Sequence, residues 1–347
     1  MTLWPRDKTP ARPIASSRRT AASSVTPLVA RQEDGHGSAA VSVRPKVVTC
    51  ILNGAAGSSR AIETKNRLAE LFARHHSETR ILVAQSGSEL GALARRAVEE
   101  HSTIVVAAGG DGTMNAVASA LVDTTTAMGV LPLGTLNHFS KDLKIPSDLS
   151  AAVANVFTGR VARIDLDDVN GHIFLNNSSL GIYPWIVRER EKEQSKGRGK
   201  WAAFARALIA VLKRYSLLYV RLLVDNQDEA EAETPFVFVG NNRYESTGLN
   251  IGQRHALDLG QLWVCRAPPA SRGKLLMLAV QHAIGSPRAT ELEMFDAQQV
   301  SIRTRSRRLP VATDGEVIFL ETPLHYRIRP GALSVIVPAA ETGTPSG

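Results

Sequence analysis

Hydrophobic and polar positions follow two different patterns along this chain. From Lys46 to about Leu133, short apolar runs alternate with longer segments whose apolar residues recur every three or four positions, which predicts strands followed by amphipathic helices. The predicted strands are KVVTCILN, RILVAQ, TIVVAA and GVLPL, with helices over about 60–75, from about Ser88, and directly after TIVVAA. This β-α-β-α-β-α-β series predicts a parallel sheet with helices on both faces.

From about Arg163 the pattern changes to short runs separated by turn residues. The runs are RIDLDDV, HIFLNNSS, LYVRLLVD, TPFVFVGNN, LWVCRA and VSIRTRS, and Asn170-Gly171 between the first two is a type I′ hairpin signal. We therefore predict an α/β domain with a parallel sheet over 46–162 and a mostly antiparallel β domain over 163–338. Residues 1–45 and 339–347 are predicted tails.

The strand TIVVAA runs directly into the glycine turn GGDGT, which opens a helix. Gly109, Gly110 and Gly112 let backbone N–H groups approach an anion, and Thr113 is predicted to cap a helix whose dipole favours negative charge. A carboxylate such as Asp111 repels phosphate unless a divalent cation lies between them or the acid handles a proton. The turn therefore predicts nucleotide chemistry.

A similar arrangement follows some twenty residues later, where the strand GVLPL ends in PLGTLN. Gly134 makes the turn, and Thr135 and Asn137 begin the next short helix, where they can cap it or contact a ligand. Adjacent parallel strands deliver their carboxyl ends to one crevice, so we expect both loops to face the same ligand. Neither loop is a Walker or Rossmann motif: Gly-Lys followed by Ser or Thr is absent, and Asn115 stands where the third Rossmann glycine would fall.

The segments GGDGTMNAV and PLGTLNHF resemble the diacylglycerol kinase catalytic family, which includes sphingosine kinases and bacterial lipid kinases and is related in fold to NAD kinases. Weaker similarity extends over roughly 46–337. The resemblance implies transfer of the γ-phosphate of ATP to a lipid hydroxyl with Mg²⁺. It also implies a nucleotide-binding first domain, a lipid-substrate second domain, and last strands around 325–337 that return to the first.

The resemblance assigns nucleotide-binding roles to three loops. The implied residues are Asn53, Gly57, Ser58, Gly109, Gly110, Asp111, Gly112, Thr113, Asn115, Gly134, Thr135 and Asn137. The chain departs from the family pattern at several of these loops. NGAAGS lacks the proline of the usual Asn-Pro-x-x-Gly, and Ala116 and His138 replace two acids, so some nucleotide or substrate contacts must differ.

The distal segment Thr313-Asp314-Gly315-Glu316 is the candidate for acid–base chemistry. On spacing alone, Asp-Gly favours an ordinary hairpin turn. The family pattern instead places this D-G-E in the cleft between the domains, where one acid takes the proton of the attacking hydroxyl. The sequence does not decide between Asp314 and Glu316, so both are predicted catalytic residues, together with Asp111 as the organiser of metal and phosphates.

Asp258, in RHALDLGQLWV, is a candidate ligand for a structural Mg²⁺. In the family, an acid immediately before the glycine can hold this metal, but Leu259 occupies that place here. A surface turn is an equal alternative, because hard cations need several oxygen ligands.

Charge and composition point to a peripheral membrane role. The chain has a net charge of +8, and the segment through Lys46 carries eight Lys or Arg against three acids, a net of +5. That segment has no apolar periodicity, so we predict disorder. In a strand, Arg303, Arg305 and Arg307 would share a face and, with Arg308, form a basic ridge for anionic headgroups. No apolar run is long enough to span a bilayer, and two cysteines favour a reducing compartment. We therefore expect a cytoplasmic protein that contacts an anionic membrane surface peripherally.

Two alternatives remain open at this stage. A soluble kinase similar to NAD kinase would share GGDGT without an apolar acceptor site. A non-catalytic lipid- or nucleic-acid-binding protein would fit the sequence pI of about 9.7 and the missing acids. We expect no specific nucleic-acid partner, because basic composition alone is nonspecific. The identity of the lipid is not encoded in these motifs, and an exposed sheet edge could pair two copies into a homodimer.

Overall fold

The structure of the chain is a computed structural model. It describes residues 47–54, 58–75, 78–182, 184, 217–227, 230–247, 250–269, 271, 273 and 292–339. The predicted tail over 1–45, most of the tail over 339–347, and Gly57 lie outside these residues.

The first half of the chain alternates strands and helices as the pattern predicted. Its elements are β1 (Val47–Asn53), α1 (Ser58–Ala73), β2 (Glu78–Ala84), α2 (Gly87–Glu99), β3 (Ile104–Gly109), α3 (Asp111–Leu121), β4 (Ala127–Pro132), α4 (His138–Asp142) and α5 (Leu149–Thr158). The four strands are parallel and lie in the order β2-β1-β3-β4. The α/β fold with a parallel sheet is therefore confirmed for this half.

The central strand of this half is apolar along its whole length because both of its faces are covered. All six residues of β3, IVVAAG, are buried, as expected for a parallel strand between two helical layers. Helix α3 adds Met114, Val117, Ala118 and Leu121 to the same core. Because β3 has no polar side chain, functional groups at this strand must come from the GGDGT turn that follows it.

The second half is built of strands. They are β5 (Arg160–Val169), β6 (His172–Phe174), β7 (Asn177–Gly181), β8 (Leu218–Val224), β9 (Ala230–Thr234), β10 (Phe236–Asn241), β11 (Tyr244–Thr247), β12 (Asn250–Arg254), β13 (Leu262–Arg266), β14 (Glu293–Ala297), β15 (Gln299–Thr304), β16 (Arg308–Thr313), β17 (Glu316–Glu321) and β18 (Leu324–Val337). Six of them form an antiparallel sheet in the order β14-β13-β10-β7-β16-β17. The predicted antiparallel second half is confirmed.

The last strand, β18, joins the two halves of the chain. It pairs in parallel with β4 and antiparallel with β5 and β15, so one ten-stranded sheet runs from the first half into the second. The register of β18 against β5 shifts between Arg329 and Leu333, around Gly331, which has a φ of +56°. β5 itself spans the boundary predicted at 162/163, and the domain limits stay a prediction.

Two local expectations are corrected by the structure. HIFLNNSS is not one strand: it breaks at Leu175 and Asn176 into β6 and β7, which belong to different sheets. The arginines do not share one strand face either, because β15 ends at Thr304 and residues 305–307 bend toward β16. By contrast, Asn170 and Gly171 both have positive φ, as the predicted type I′ turn requires.

Candidate active site

The two glycine loops of the first half pack against each other backbone to backbone. A Cβ added to Gly134 would stand 2.5 Å from the Cα of Gly110, closer than real contacts allow. The N–H of Leu133 also donates to the carbonyl of Gly109 at 2.9 Å. These approaches require glycine for space, not for a left-handed backbone. GGDGT and PLGT therefore form one continuous surface at the ends of β3 and β4.

The GGDGT turn delivers the N-terminus of α3 to this surface. Gly110 is the N-cap, and none of the described side chains caps the helix. The first intrahelical bond runs from Met114 N–H to the carbonyl of Gly110, so the amides of residues 111–113 precede it and are available to an anion. The cap predicted at Thr113 is wrong, because the helix begins at Asp111, three residues earlier than that cap requires.

Thr113 instead links the ends of β1 and β3. Its hydroxyl accepts a 3.1 Å hydrogen bond from Asn53 Nδ2, and its side chain fills the space above Gly109, where a Cβ would stand 2.2 Å from Oγ1. Asn53 ends β1, and the strand order changes direction between β1 and β3, which is where open α/β sheets bind ligands. Asn53 and the GGDGT turn therefore lie together at this switch point.

Asp111 is half-buried at the first position of α3, and its Oδ1 accepts a 3.2 Å hydrogen bond from the N–H of Phe139 in α4. The PLGT loop is closed from within by Asn137, a residue in the left-handed conformation with a φ of +51°. Asn137 Oδ1 accepts from Gly134 N–H at 3.0 Å, and its Nδ2 donates to the Gly134 carbonyl at 2.8 Å. Asn137 thus shapes the loop, while Thr135 is exposed.

The distal D-G-E forms the turn between β16 and β17. Asp314 and Gly315 have φ values of +48° and +86°, and Thr313 pairs with Glu316 across the ladder. The segment is therefore an ordinary hairpin turn, and it also lies near the GGDGT loop. Glu316 Oε1 lies 3.2 Å from the point that a Cβ on Gly112 would occupy, and Glu316 is exposed. The turn brings Glu316 to the GGDGT loop.

Asp314 is half-buried, and its carboxylate is directed toward the backbone of residues 175–177. It accepts hydrogen bonds from the N–H groups of Leu175, Asn176 and Asn177 at 2.8, 2.8 and 3.2 Å. Burial raises the pKa of Asp314 above its usual value, although the three backbone bonds oppose the shift. Asp314 therefore fixes the turn, and Glu316 is the member of the pair that faces the loop.

The positions of four other predicted residues do not test the roles expected of them. Ser58 begins α1, but its side chain lies outside the description, as Gly57 does entirely. The buried Oδ1 of Asn115 accepts no hydrogen bond from the described part of the chain. Asp258 is exposed, and no group of three His, Cys, Asp or Glu suited to a metal ion forms among the described residues. Their roles stay predictions.

The acids of β5 form a buried group that the sequence patterns did not predict. Asp165, Asp167 and Asp168 are each at most 3% exposed. The Asp165 carboxylate accepts from the N–H groups of Gly260 and Gly331 at 2.7 and 2.8 Å, which joins two distant loops. The signal was available: the run RIDLDDV sets three acids inside a predicted strand, and acids are rarely buried without a structural reason.

The predicted basic ridge is a cluster around the connection from β15 to β16. Arg303, Arg305, Arg307 and Arg308 are all exposed. The Arg305 guanidinium lies 4.4 Å from the centre of the Tyr219 ring, and that of Arg308 lies 5.5 Å from the Phe319 ring. Within the described ranges, no helix has the length and apolar character needed to cross a bilayer.

Comparison with known proteins agrees with this arrangement. The model of the diacylglycerol kinase catalytic domain matches residues 47–169, and that of the YegS C-terminal NAD kinase beta sandwich-like domain matches 186–337. A diacylglycerol kinase of Staphylococcus saprophyticus is 25% identical over 171 residues, which are 46% of this chain and 56% of that protein. A protein of Yersinia pestis named "Probable lipid kinase YegS-like" is 38% identical over 125 residues, 33% of this chain and 42% of that protein.

The chain thus spans about half the length of these relatives. A crystal structure described as that of a diacylglycerol kinase from Bacillus anthracis superposes with a TM-score of 0.66 at 21% identity, covering 86% of this chain and 99% of that one. At this identity the likeness shows the fold.

Proposed function

We propose that this chain, which belongs to the diacylglycerol kinase catalytic domain family, is an ATP-dependent lipid kinase that transfers the γ-phosphate to a lipid hydroxyl. The observation that carries the proposal is the approach of Glu316 to Gly112, because it sets a carboxylate beside a helix N-terminus suited to phosphate. A proton acceptor and a phosphate site at one place are what phosphoryl transfer to an alcohol needs.

The donor phosphates would bind at the start of α3. The amides of residues 111–113 offer N–H groups there, and the helix dipole adds favourable potential. Gly110 and Gly134 lie in backbone contact, and neither has a side chain that would cover this surface. Asn53 and Asn137 would support the site indirectly, since Asn53 binds Thr113 and Asn137 closes the PLGT turn.

The residues present fit a divalent cation at Asp111. Its Oδ1 is used by Phe139, whereas Oδ2 accepts no hydrogen bond from the described residues. Asp111 would hold Mg²⁺, which neutralises phosphate charge when bound. Asp111 also keeps α3 and α4 together through its bond to Phe139, so one residue serves the phosphate site and the adjoining helix.

Glu316 would act as the general base. It takes the proton of the lipid hydroxyl as the oxygen forms its bond to the γ-phosphorus, and the bond from that phosphorus to the bridging oxygen of ADP breaks. The proposal gives this role to Glu316 and not to Asp314, because three backbone N–H groups already donate to the Asp314 oxygens. It holds the turn from which Glu316 projects.

The test is phosphoryl transfer from ATP labelled at the γ-position. Extracted total lipid, NAD and buffer without acceptor would be compared with the same purified protein. NAD is included because the matched C-terminal model carries the name of NAD kinase. Label in the lipid phase supports the proposal, label in NADP favours the soluble alternative, and no transfer to any acceptor leaves the binding-protein alternative.

The lipid acceptor implies a membrane partner. We propose that the protein is cytoplasmic and meets an anionic membrane surface through exposed basic residues, among them the arginine cluster of Arg303, Arg305, Arg307 and Arg308. Self-association through a sheet edge stays a prediction, as does the lack of a specific nucleic-acid partner.

A further inference from the structure

Arg254, at the end of β12, is a buried cation with an unusually full set of partners. Its side chain is 0% exposed. It donates to Asp142 Oδ2 from Nε at 2.8 Å, to the carbonyls of Leu175 and Asn241 at 2.7 and 3.1 Å, and to Asn176 Oδ1 at 2.8 Å. Asp142 is also buried, so the pair is shielded from water and its geometry is fixed.

The segment from Leu175 to Asn177 lies between Arg254 and the catalytic turn. Its carbonyl and side-chain oxygens face Arg254 and Tyr244, whose hydroxyl donates to the Asn176 carbonyl at 2.9 Å. Its three N–H groups face the Asp314 carboxylate. The same short segment therefore connects the arginine to the residue that fixes the turn of Glu316.

The other partner of Arg254 leads back to the nucleotide loop. Asp142 is the last residue of α4, and the N–H of Phe139 in the first turn of α4 donates a hydrogen bond to Asp111. The connection thus runs from Asp111 through α4, Arg254 and the 175–177 segment to Asp314. This series of contacts returns to its starting point where Glu316 approaches Gly112, the residue after Asp111.

We propose that Arg254 is a positioning residue that sets Glu316 against the GGDGT loop. The catalytic part of this proposal rests on the proposed kinase function. Arg254 touches neither Asp111 nor Glu316 in any described contact, so it acts through Asp142 and the 175–177 segment. An arginine is required because its planar fork serves acceptors in several directions at once, which the single ammonium of lysine does not reproduce.

The test compares Arg254→Lys with Arg266→Lys. Arg266 is also a buried arginine with a carboxylate partner, Glu293. It lies on β13 of the six-stranded sheet, three strands away from β16. Arg254→Lys should lower kcat by about 10- to 100-fold with little change in KM for ATP, because a displaced general base slows the chemical step. Arg266→Lys should leave kcat near the wild-type value.

Hydrogen exchange gives a readout that does not depend on turnover. The amides of Leu175, Asn176 and Asn177 should exchange faster in Arg254→Lys, while those of β3 keep their protection. Unchanged protection at 175–177, or a kcat equal to that of Arg266→Lys, would overturn the proposal. If the wild-type protein phosphorylates no acceptor, the kinase assignment fails, and the exchange result still decides whether Arg254 holds the segment.

A milder variant covers the case in which Arg254→Lys does not fold. Tyr244→Phe removes only the hydroxyl that donates to Asn176, so it keeps the aromatic ring beside Arg254. It should lower kcat in the same direction by a smaller factor, about 2- to 10-fold, with the same rise in exchange at 175–177. A Tyr244→Phe protein with wild-type kcat and wild-type exchange would also contradict the proposal.

Discussion

Glu316 Oε1 lies 3.2 Å from the position of a Cβ on Gly112, although the two residues are 204 positions apart in the chain. The contact joins the hairpin between β16 and β17 to the first turn of α3. Because Gly112 has no side chain, the carboxylate approaches the helix N-terminus directly. This relationship makes Glu316 the first residue to test.

Glu316→Gln should lower kcat by at least about 100-fold, the usual contribution of a positioned general base. Glutamine keeps the size of the side chain, so ATP binding and the midpoint of thermal unfolding should stay near wild type. Steady-state kinetics with saturating lipid, together with ATP titration, measure both. The control is Glu321→Gln, an exposed acid at the other end of β17. A Glu316→Gln enzyme with wild-type kcat would remove the general-base role.

Asp314→Asn should act on stability. The amide group presents two donors where the carboxylate accepts three N–H groups, so the variant should lose about 1–3 kcal/mol of unfolding free energy. Asparagine tolerates the positive φ at this turn, so backbone strain does not confuse the result.

The matched control for this change is Asp225→Asn. Asp225 also has a φ of +48° and accepts two backbone N–H groups, but it is exposed. Water can replace its hydrogen bonds, so the loss there should be smaller. Equal losses of unfolding free energy at Asp314 and Asp225, measured by urea denaturation, would contradict the anchoring of the turn between β16 and β17 by Asp314.

Asp111→Asn should preserve the fold and reduce turnover by at least about 100-fold, the scale of losing one preorganised electrostatic group. The asparagine carbonyl can still accept from Phe139, so the contact between α3 and α4 remains. The expected defect is therefore a loss of metal dependence, visible as a weaker response of the rate to added Mg²⁺. Asp123→Asn, just beyond the other end of α3, is the control. A folded Asp111→Asn protein with normal turnover and normal Mg²⁺ response would exclude the role.

Asp167 gives the chain a predictable dependence of stability on pH. It is fully buried, and neither carboxyl oxygen has a hydrogen-bond partner among the residues that the structure describes. Burial and the neighbouring carboxylates raise its pKa well above 3.8, although Arg254 opposes them. As pH rises above the unfolded-state pKa, the unfolded chain loses this proton first, so the free energy of unfolding falls until the folded-state pKa is reached.

Asp167→Asn should remove this dependence, because asparagine does not titrate. The variant should be more stable than wild type at neutral and higher pH, and the difference should grow by up to about 1.4 kcal/mol per pH unit within the window. Urea denaturation between pH 4 and pH 8 measures it. Asp296→Asn, an exposed acid 3.7 Å from Arg243, should keep the wild-type profile. Parallel profiles for wild type and Asp167→Asn would show that Asp167 titrates normally.

The parts of this site that the sequence predicted are those with local signals. Strands β1, β3 and β4 are apolar runs, and the GGDGT and PLGT turns follow them directly, so the sheet and one wall of the site could be placed from the order of elements. The Asn170-Gly171 turn was likewise predictable, because its dipeptide fixes its backbone.

The remaining parts depend on contacts between distant residues. The choice between Asp314 and Glu316 rests on hydrogen bonds that Asp314 accepts from residues 137 to 139 positions earlier. The pairing of Arg254 with Asp142 spans 112 positions. Periodicity and turn chemistry carry no information about such pairs, so a single sequence leaves them open.

The arginine cluster predicts binding to membranes that depends on charge. Each basic residue near an anionic surface contributes about 1 kcal/mol, so several together can hold a protein there reversibly. Removing the charges of Arg303 and Arg307 together, as Arg303→Gln with Arg307→Gln, should weaken cosedimentation with vesicles that contain phosphatidylserine or phosphatidylglycerol. Deletion of residues 1–45 removes a net charge of about +4 and should weaken cosedimentation further. Because that segment has no core-forming pattern, the rest of the chain should still fold.

Arg74 and Arg95 provide the control for this last prediction, because both are exposed in the first half of the chain, Arg74 directly after α1 and Arg95 on α2. Changing both to Gln removes the same total charge from a different surface and should reduce binding less. Raising the salt concentration should weaken binding of the intact protein, because screening shortens the reach of exposed charges. Neutral phosphatidylcholine vesicles should bind little under all conditions. If anionic and neutral vesicles bind equally, and neither salt nor the arginine substitutions change the amount bound, the cluster has no electrostatic role at membranes.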